Sequence, residues 1–282
     1  TGPINDTAAP LLLFEHTTAS GHVLAEARLN AEATLNSLSL EMIDILTPAL
    51  ARWVDDARVV AVLLTGAGER AFSAGGDIQA LYRAMVRNHA AGSTVDRYPY
   101  EFFEREYRLD YRLHTFPKPV IALGHGIVMG GGLGIFSGAR FRIVTEKSRI
   151  ALPEITIGLF PDAGATLLLG RLAPAVATFI AMTGSHLNGA DAFASGIATH
   201  TVAAAARGAV RDALLAAGWT GRADSDSEVA AGALAVLPAA DLPARQIDDL
   251  PETLDAAGSL HEVVARIEAL GGRSRWIDNG IA

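Results

Sequence analysis

The 282-residue chain has no cysteine. This excludes disulfides, thiolate metal sites and a cysteine nucleophile. It fits a reducing compartment, and a cytoplasmic location is the expectation. Basic charge is also scarce: 23 Lys and Arg stand against 31 Asp and Glu, a formal net charge of −8. No basic stripe is visible, so no nucleic-acid partner is expected. The N-terminal TGPINDTAAP lacks a basic region ahead of an apolar one, so no signal peptide is expected. It also lacks an initiator Met, which points to a processed start. The eight histidines show no ligand spacing such as HExxH, and no metal is expected. Half the residues are hydrophobic, the composition of an ordinary globular chain with a sizeable core.

One stretch, residues 120–139 (VIALGHGIVMGGGLGIFSGA), carries no acid, Lys or Arg over a span-like length. Seven of its residues are glycine and His125 sits inside it. A strand–turn–helix that brings backbone close to a ligand explains it better than a lipid-facing helix, so no membrane partner is expected.

Residues 11–15 and 22–29 read as strands. A helix follows, with Ser39 as N-cap and Leu40, Ile43, Leu46 and Leu50 on one face, to about Asp55. Residues 59–66 (VVAVLLTG) read as a buried strand and AGERAFSAGGD as a loop. Asp77 caps a helix from Ile78, and helical sequence continues through YEFFEREYRLDYRL. Residues 119–126 form a second buried strand and 131–137 open a helix. Short strands fall at 141–145 and 149–152. From Asp162 the pattern is helical, with breaks at 170–174 and 184–189. Beyond about Thr201 the chain turns Ala-rich, with helices around ALLAAGW and HEVVARIEALGG. Buried strands alternating with helices predict an α/β core with crossover connections.

Three segments carry chemistry. AFSAGGDI (71–78) and HGIVMGGGLG (125–134) each follow a buried strand and place glycines where backbone amides can face a ligand. Two converging amides suit a developing oxyanion. The alternative is two tight turns with glycines at positive φ. Neither is a dinucleotide fingerprint, because Met129 stands at the third glycine place after Gly124 and Gly126. LPEITIGLFPDAGAT (152–166) holds Glu154 and Asp162 in apolar surroundings. Such surroundings disfavour the charged form of a carboxylate and suit it to proton transfer. Asp162 also precedes a helical pattern, so both a capping and a chemical role stay open. No helix obviously begins at Glu154. For His125, beside the second glycine turn, a satisfied structural role is the expectation.

In order and spacing these segments resemble the crotonase (enoyl-CoA hydratase/isomerase) superfamily, over roughly residues 11–202. LNAEATLNSLSLEM is similar to that family's N-terminal strand-to-helix segment, AFSAGGDI and MGGGLG to its two oxyanion segments, and LPEITIGLFPDAGAT to the one bearing its catalytic carboxylate. The resemblance implies an α/β fold with a ββα spiral core over residues 1–200 and a helical region over 201–282. It implies oxyanion amides at Gly76 and Gly131, a catalytic Glu154, and thioester-ligand contacts at Ala74, Gly75, Asp77 and Ile78. Coenzyme A is expected only as part of an acyl-CoA substrate, with no separate cofactor. A homotrimer or homohexamer is the implied assembly.

Hydratases of this family carry a second glutamate one residue past the triple glycine, where this chain has Gly134, and typically a glycine where it has Asp162. The combination resembles the 3-hydroxyisobutyryl-CoA hydrolase branch, as do IVTEKSRIALPEITIGLFPD, GIATH and EFFEREYRL. The implied function is acyl-CoA thioester hydrolysis, with Glu154 activating water or attacking directly. Asp162 would bind a substrate hydroxyl or assist proton transfer to the leaving thiolate. Rival readings are an enoyl-CoA hydratase or isomerase and a non-catalytic acyl-CoA-binding protein. The usual Arg or Lys after the first strand is absent from LNAEATLN, where Glu32 lies. The chain also stops at Ala282, short of that branch's further helical region, so a truncated sequence or a differently closed pocket is expected.

Overall fold

A computed structural model describes residues 2–282. The chain opens with an antiparallel hairpin, β1 (Leu11–Thr17) and β2 (Val23–Leu29), in which Leu11 faces Leu29. Helix α1 (Leu40–Asp55) starts at Ser39, whose side chain accepts a hydrogen bond from the Met42 amide. This satisfies one of the orphan donors of the first turn. Its buried residues, Met42, Ile43, Leu46, Ala49, Leu50 and Trp53, recur at helical spacing and cover the first strands.

From there the chain winds as a spiral, each turn adding a strand to a large sheet, a strand to a small one, then helix. The first turn is β3 (Val59–Gly66), β4 (Ala71–Ser73), α2 (Ile78–Ala91) and α3 (Tyr98–His114). The second is β5 (Val120–Gly124), β6 (Ile127–Met129) and α4 (Gly131–Gly138). The third is β7 (Phe141–Val144), β8 (Arg149–Ala151), α5 (Ala165–Leu169) and α6 (Pro174–Thr183). Short β9 (Leu187–Asn188), α7 (Gly189–Ala194) and β10 (His200–Thr201) close it. The large sheet runs β1-β2-β3-β5-β7-β10 and the small one β4-β6-β8-β9. β3, β5 and β7 are mutually parallel, as are β4, β6 and β8. This is the predicted α/β ββα spiral.

The remaining helices are α8 (Arg207–Ala216), α9 (Ala223–Ala235), α10 (Leu260–Glu268) and α11 (Arg275–Ile281). The tail does not stand apart from the core. Val210, Leu214 and Leu234 cover one face of the large sheet, while Val263, Ile267 and Ile277 join the main core. Among the described residues no helix is long and apolar enough to cross a membrane.

Three local expectations are corrected. The segment AGERAFSAGGD is not all loop: Ala71–Ser73 pairs in parallel with β6 and fixes the chain just before Gly75. Glu154 does lie in a helical turn, a 3-10 turn spanning Pro153–Ile157 that Gly158 ends in the left-handed region. The helical pattern after Asp162 starts at Ala165 rather than at Asp162 itself.

Candidate active site

The first glycine segment is held by backbone pairing. Leu38 donates to the Gly75 carbonyl at 2.7 Å, Asp77 donates to Leu38 at 2.9 Å and Ala74 donates to Leu35 at 3.0 Å. Buried Asn36 ties the same region together, its Nδ2 donating to the carbonyls of Ala67 and Ala71, both at 2.9 Å. These bonds occupy the neighbours of Gly76 and, among the described residues, leave its amide without a backbone acceptor. Gly75 has φ +102°, a conformation that L side chains rarely adopt, so glycine is required there.

The second segment ends β6 and opens α4. Gly131 is the first residue of that helix, so its N–H has no intrahelical acceptor. A Cβ on Gly131 would lie 3.6 Å from the Gly76 nitrogen and 1.9 Å from Oε1 of Glu106. The backbone at Gly76 and Gly131 therefore runs close together, and a side chain at 131 would have to displace the Glu106 carboxyl. The positive end of the α4 dipole favours negative charge at the same spot.

Glu154 reaches this space from the 3-10 turn. It is buried, one carboxylate oxygen lies 3.4 Å from where a Cβ on Gly130 would be, and neither oxygen has a hydrogen-bond partner among the described residues. Burial, reinforced by the charge of Asp162, pushes its carboxyl up to about 7. Asp162 accepts a 2.6 Å hydrogen bond from the Tyr107 hydroxyl. It does not cap α5, whose N-cap is Gly164 and which has no side-chain cap. Ala163 (φ +45°) and Gly164 (φ +80°) turn the chain sharply after Asp162, a costly geometry that clusters at functional sites.

Gly76, Gly131, Glu154 and Asp162 all line one cavity of about 160 Å³, together with Ala74, Gly75 and Ile78. Asp77 sits differently: its side chain caps α2, accepting from the Ala80 amide at 3.0 Å. Among the described residues no group of three His, Asp or Glu side chains is arranged to hold a metal ion. Nε2 of His125 lies 3.1 Å from the Gly68 carbonyl, outside this cavity.

Helix α3 supplies functional groups that the motifs did not reveal. Glu106 is buried in the cavity wall and has its carboxyl pushed up to about 8, first by burial and then by Asp162 and Glu154. Tyr107 orients Asp162, and Asp110 follows one turn later. A signal was present. Positions 102, 106, 109, 110 and 113 form the buried stripe of α3, and two of the five are acids. An acid on the apolar face of a helix has a reason to be there.

The family model described as Enoyl-CoA hydratase/isomerase matches residues 24–281. The 3-hydroxyisobutyryl-CoA hydrolase, mitochondrial, of Bos taurus is 41% identical over 213 residues, 73% of this chain and 53% of that protein. The Homo sapiens protein of the same name is 39% identical over 199 residues, 68% of this chain and 50% of its own length. The chain thus spans about half the length of these curated relatives. A carnitinyl-CoA dehydratase from Mycobacterium thermoresistibile superposes with a TM-score of 0.79 at 29% identity, covering 95% of this chain and 73% of that one. An enoyl-CoA hydratase from Rhodobacter sphaeroides gives 0.72 at 31% identity, covering 95% and 72%. With nearly its whole length matched by the family model and its fold shared with such enzymes, the chain belongs to the enoyl-CoA hydratase/isomerase family.

Proposed function

We propose that the protein hydrolyses an acyl-CoA thioester, with 3-hydroxyisobutyryl-CoA as the first substrate to test. One observation carries the reading. Glu154, a buried carboxyl with no hydrogen-bond partner among the described residues, shares a cavity with Gly76 and Gly131, while Gly134 bears no second glutamate. The names of the relatives of Bos taurus and Homo sapiens support the same reaction.

In this mechanism the thioester carbonyl oxygen sits between the amides of Gly76 and Gly131. Glu154, as carboxylate, takes a proton from water as the water oxygen attacks the carbonyl carbon. The C=O pair moves onto the oxygen, where the two N–H groups stabilise it; one such donor is worth about 3 kcal/mol. Collapse re-forms the carbonyl and breaks the C–S bond, and the proton held by Glu154 passes to the departing thiolate, which restores the carboxylate. Asp162, oriented by Tyr107, holds the acyl hydroxyl or assists that last transfer. A carboxyl near 7 is matched to proton transfer at neutral pH.

Thiol release from 3-hydroxyisobutyryl-CoA by wild type, Glu154→Gln and Asp162→Asn tests this, with crotonyl-CoA hydration run in parallel. No protein thiol contributes background, because the chain has no cysteine. Thiol release that collapses in Glu154→Gln, with negligible hydration, is expected. Hydration or isomerisation without thiol release would overturn the hydrolase reading. In wild type, kcat/KM should rise with pH and level off above about 7, as Glu154 loses its proton.

A further inference from the structure

The cavity that holds Gly76, Gly131 and Glu154 has an open side and a closed one. Ile78 and Ile157 in its lining are 50% and 54% exposed, whereas Leu81, Phe102 and Glu106 are 9%, 1% and 2% exposed. The CoA portion of a thioester is far too large for about 160 Å³, so it stays on the open side and the acyl group points toward the closed one. The space there is small. A cavity of about 150 Å³ takes up benzene, so about six non-hydrogen atoms fill this one. A 3-hydroxyisobutyryl group has that size.

Phe102 stands in the closed wall. It lies on the buried stripe of α3, one turn before Glu106, and belongs to the main core. Its ring points at the first glycine segment: Cζ is 2.9 Å from where a Cβ on Gly76 would be. The tip of the ring therefore lies beside the backbone that faces the reacting carbonyl in the proposed mechanism. The ring is also held in place. Tyr98 stacks on it at a ring distance of 6.1 Å, with 18° between the planes, and Phe103 meets it edge-on at 5.5 Å. Aromatic pairs of this kind add stability beyond the area they bury. A side chain fixed in a close-packed interior gives way only at a cost.

We propose that Phe102 is the stop that sets the length of the acyl group: a chain of about four carbons ends short of the ring, and a longer one runs into it. The inference rests on the acyl-CoA reading of this cavity and adds which chain lengths it accepts. Phe102 offers no proton, donor or charge to the reaction, so it acts on specificity alone. Removal of the ring joins its volume to the cavity and lengthens the space for the chain.

The test is binding, read in a Glu154→Gln background so that no thioester is consumed. Dissociation constants for butanoyl-CoA, hexanoyl-CoA and octanoyl-CoA are measured by calorimetry, with Phe102 intact and as Phe102→Ala and Phe102→Leu. With Phe102 intact, octanoyl-CoA should bind about tenfold weaker than butanoyl-CoA or worse, since a single methylene in an apolar pocket is worth about tenfold or more. Phe102→Ala should bring octanoyl-CoA to within about threefold of butanoyl-CoA or make it the tighter ligand. Phe102→Leu, which shortens the side chain less, should admit hexanoyl-CoA but not octanoyl-CoA, and it carries the test alone if Phe102→Ala fails to fold. A merely structural role would weaken every ligand alike, whereas a stop makes the longer chain bind tighter as the ring is removed. No preference for the short chain at the start, or a preference unchanged in the folded variants, would overturn the proposal. Failure of the hydrolase reading is distinguishable: thiol release would be missing while the Phe102-dependent length limit persisted.

Discussion

Position 134 holds glycine where hydratases of this family carry their second glutamate. The space is not vacant, because Asp110 and Ala163 already fill it. Gly134→Glu should therefore not install crotonyl-CoA hydration. It should lower unfolding stability by about 1–3 kcal/mol, as overpacking of a close-packed site does. Urea denaturation and loss of enoyl absorbance check the two parts; strong hydration by the variant would show that the wall yields. The glycines and Glu154 stand out in the sequence because close backbone approach and an acid in apolar surroundings leave local traces. Glu106 and Asp110 leave a fainter trace, their place on the Phe102–Leu109–Leu113 stripe of α3, which is easily missed because an acid on a helix ordinarily faces solvent. Only the meeting of α3 with residues 131, 134 and 163, all distant in sequence, gives them their environment.

Among the elements, α4 carries the heaviest conformational burden. Four of its eight residues are glycine, each costing on the order of 1 kcal/mol in a helix interior. Its own propensity cannot hold it. Buried Leu133, Ile135 and Phe136 do, with Phe136 edge-on to Phe72 at a ring distance of 6.2 Å. Phe136→Ala should cost about 3–5 kcal/mol. Because the first turn of α4 presents the Gly131 amide, turnover should fall more than the folded fraction does. A circular-dichroism melt with thiol-release kinetics on the folded protein separates the two; unchanged kcat would show that packing does not set the amide. The long elements, α1, β3 and β5, were readable from period and β-branched runs. Strand β4 was not, because three residues are too few to show a period and their strand character comes from pairing with β6. The 3-10 turn at Glu154 was likewise too short to announce itself.

Across the whole molecule, the buried acids oppose themselves to pH. Glu106, Asp110 and Glu154 all have folded pKa values above their unfolded ones, so the folded state holds their protons more tightly. The stability they contribute is full below the ordinary carboxylate range and is lost as pH rises through about 7 and about 8. His125, His186 and His200, lowered by burial, act in the opposite sense only below about 6.5. Between pH 6.5 and about 8 the acids dominate, and the urea midpoint should fall as pH rises. The slope is at most about 1.4 kcal/mol per pH unit for each proton still held. Glu106→Gln should flatten it; an unchanged slope would place the titration elsewhere. The pH that arms Glu154 is thus the pH that loosens the fold around it. The spiral itself was legible as alternating strand and helix, whereas the docking of α10 and α11 into the main core was not, since nothing local in an amphipathic helix says which surface it will cover.

The two groups that would hold the oxyanion are peptide N–H groups, on successive turns of the spiral. No codon change can delete a peptide N–H other than one to proline. Drift in the gene therefore reaches this function only by displacing a loop, whereas one base change can remove or replace Glu106, Asp110, Glu154 or Asp162. A lineage built this way can exchange the reaction it runs by rewriting the acids around the carbonyl, without ever losing its grip on the carbonyl itself.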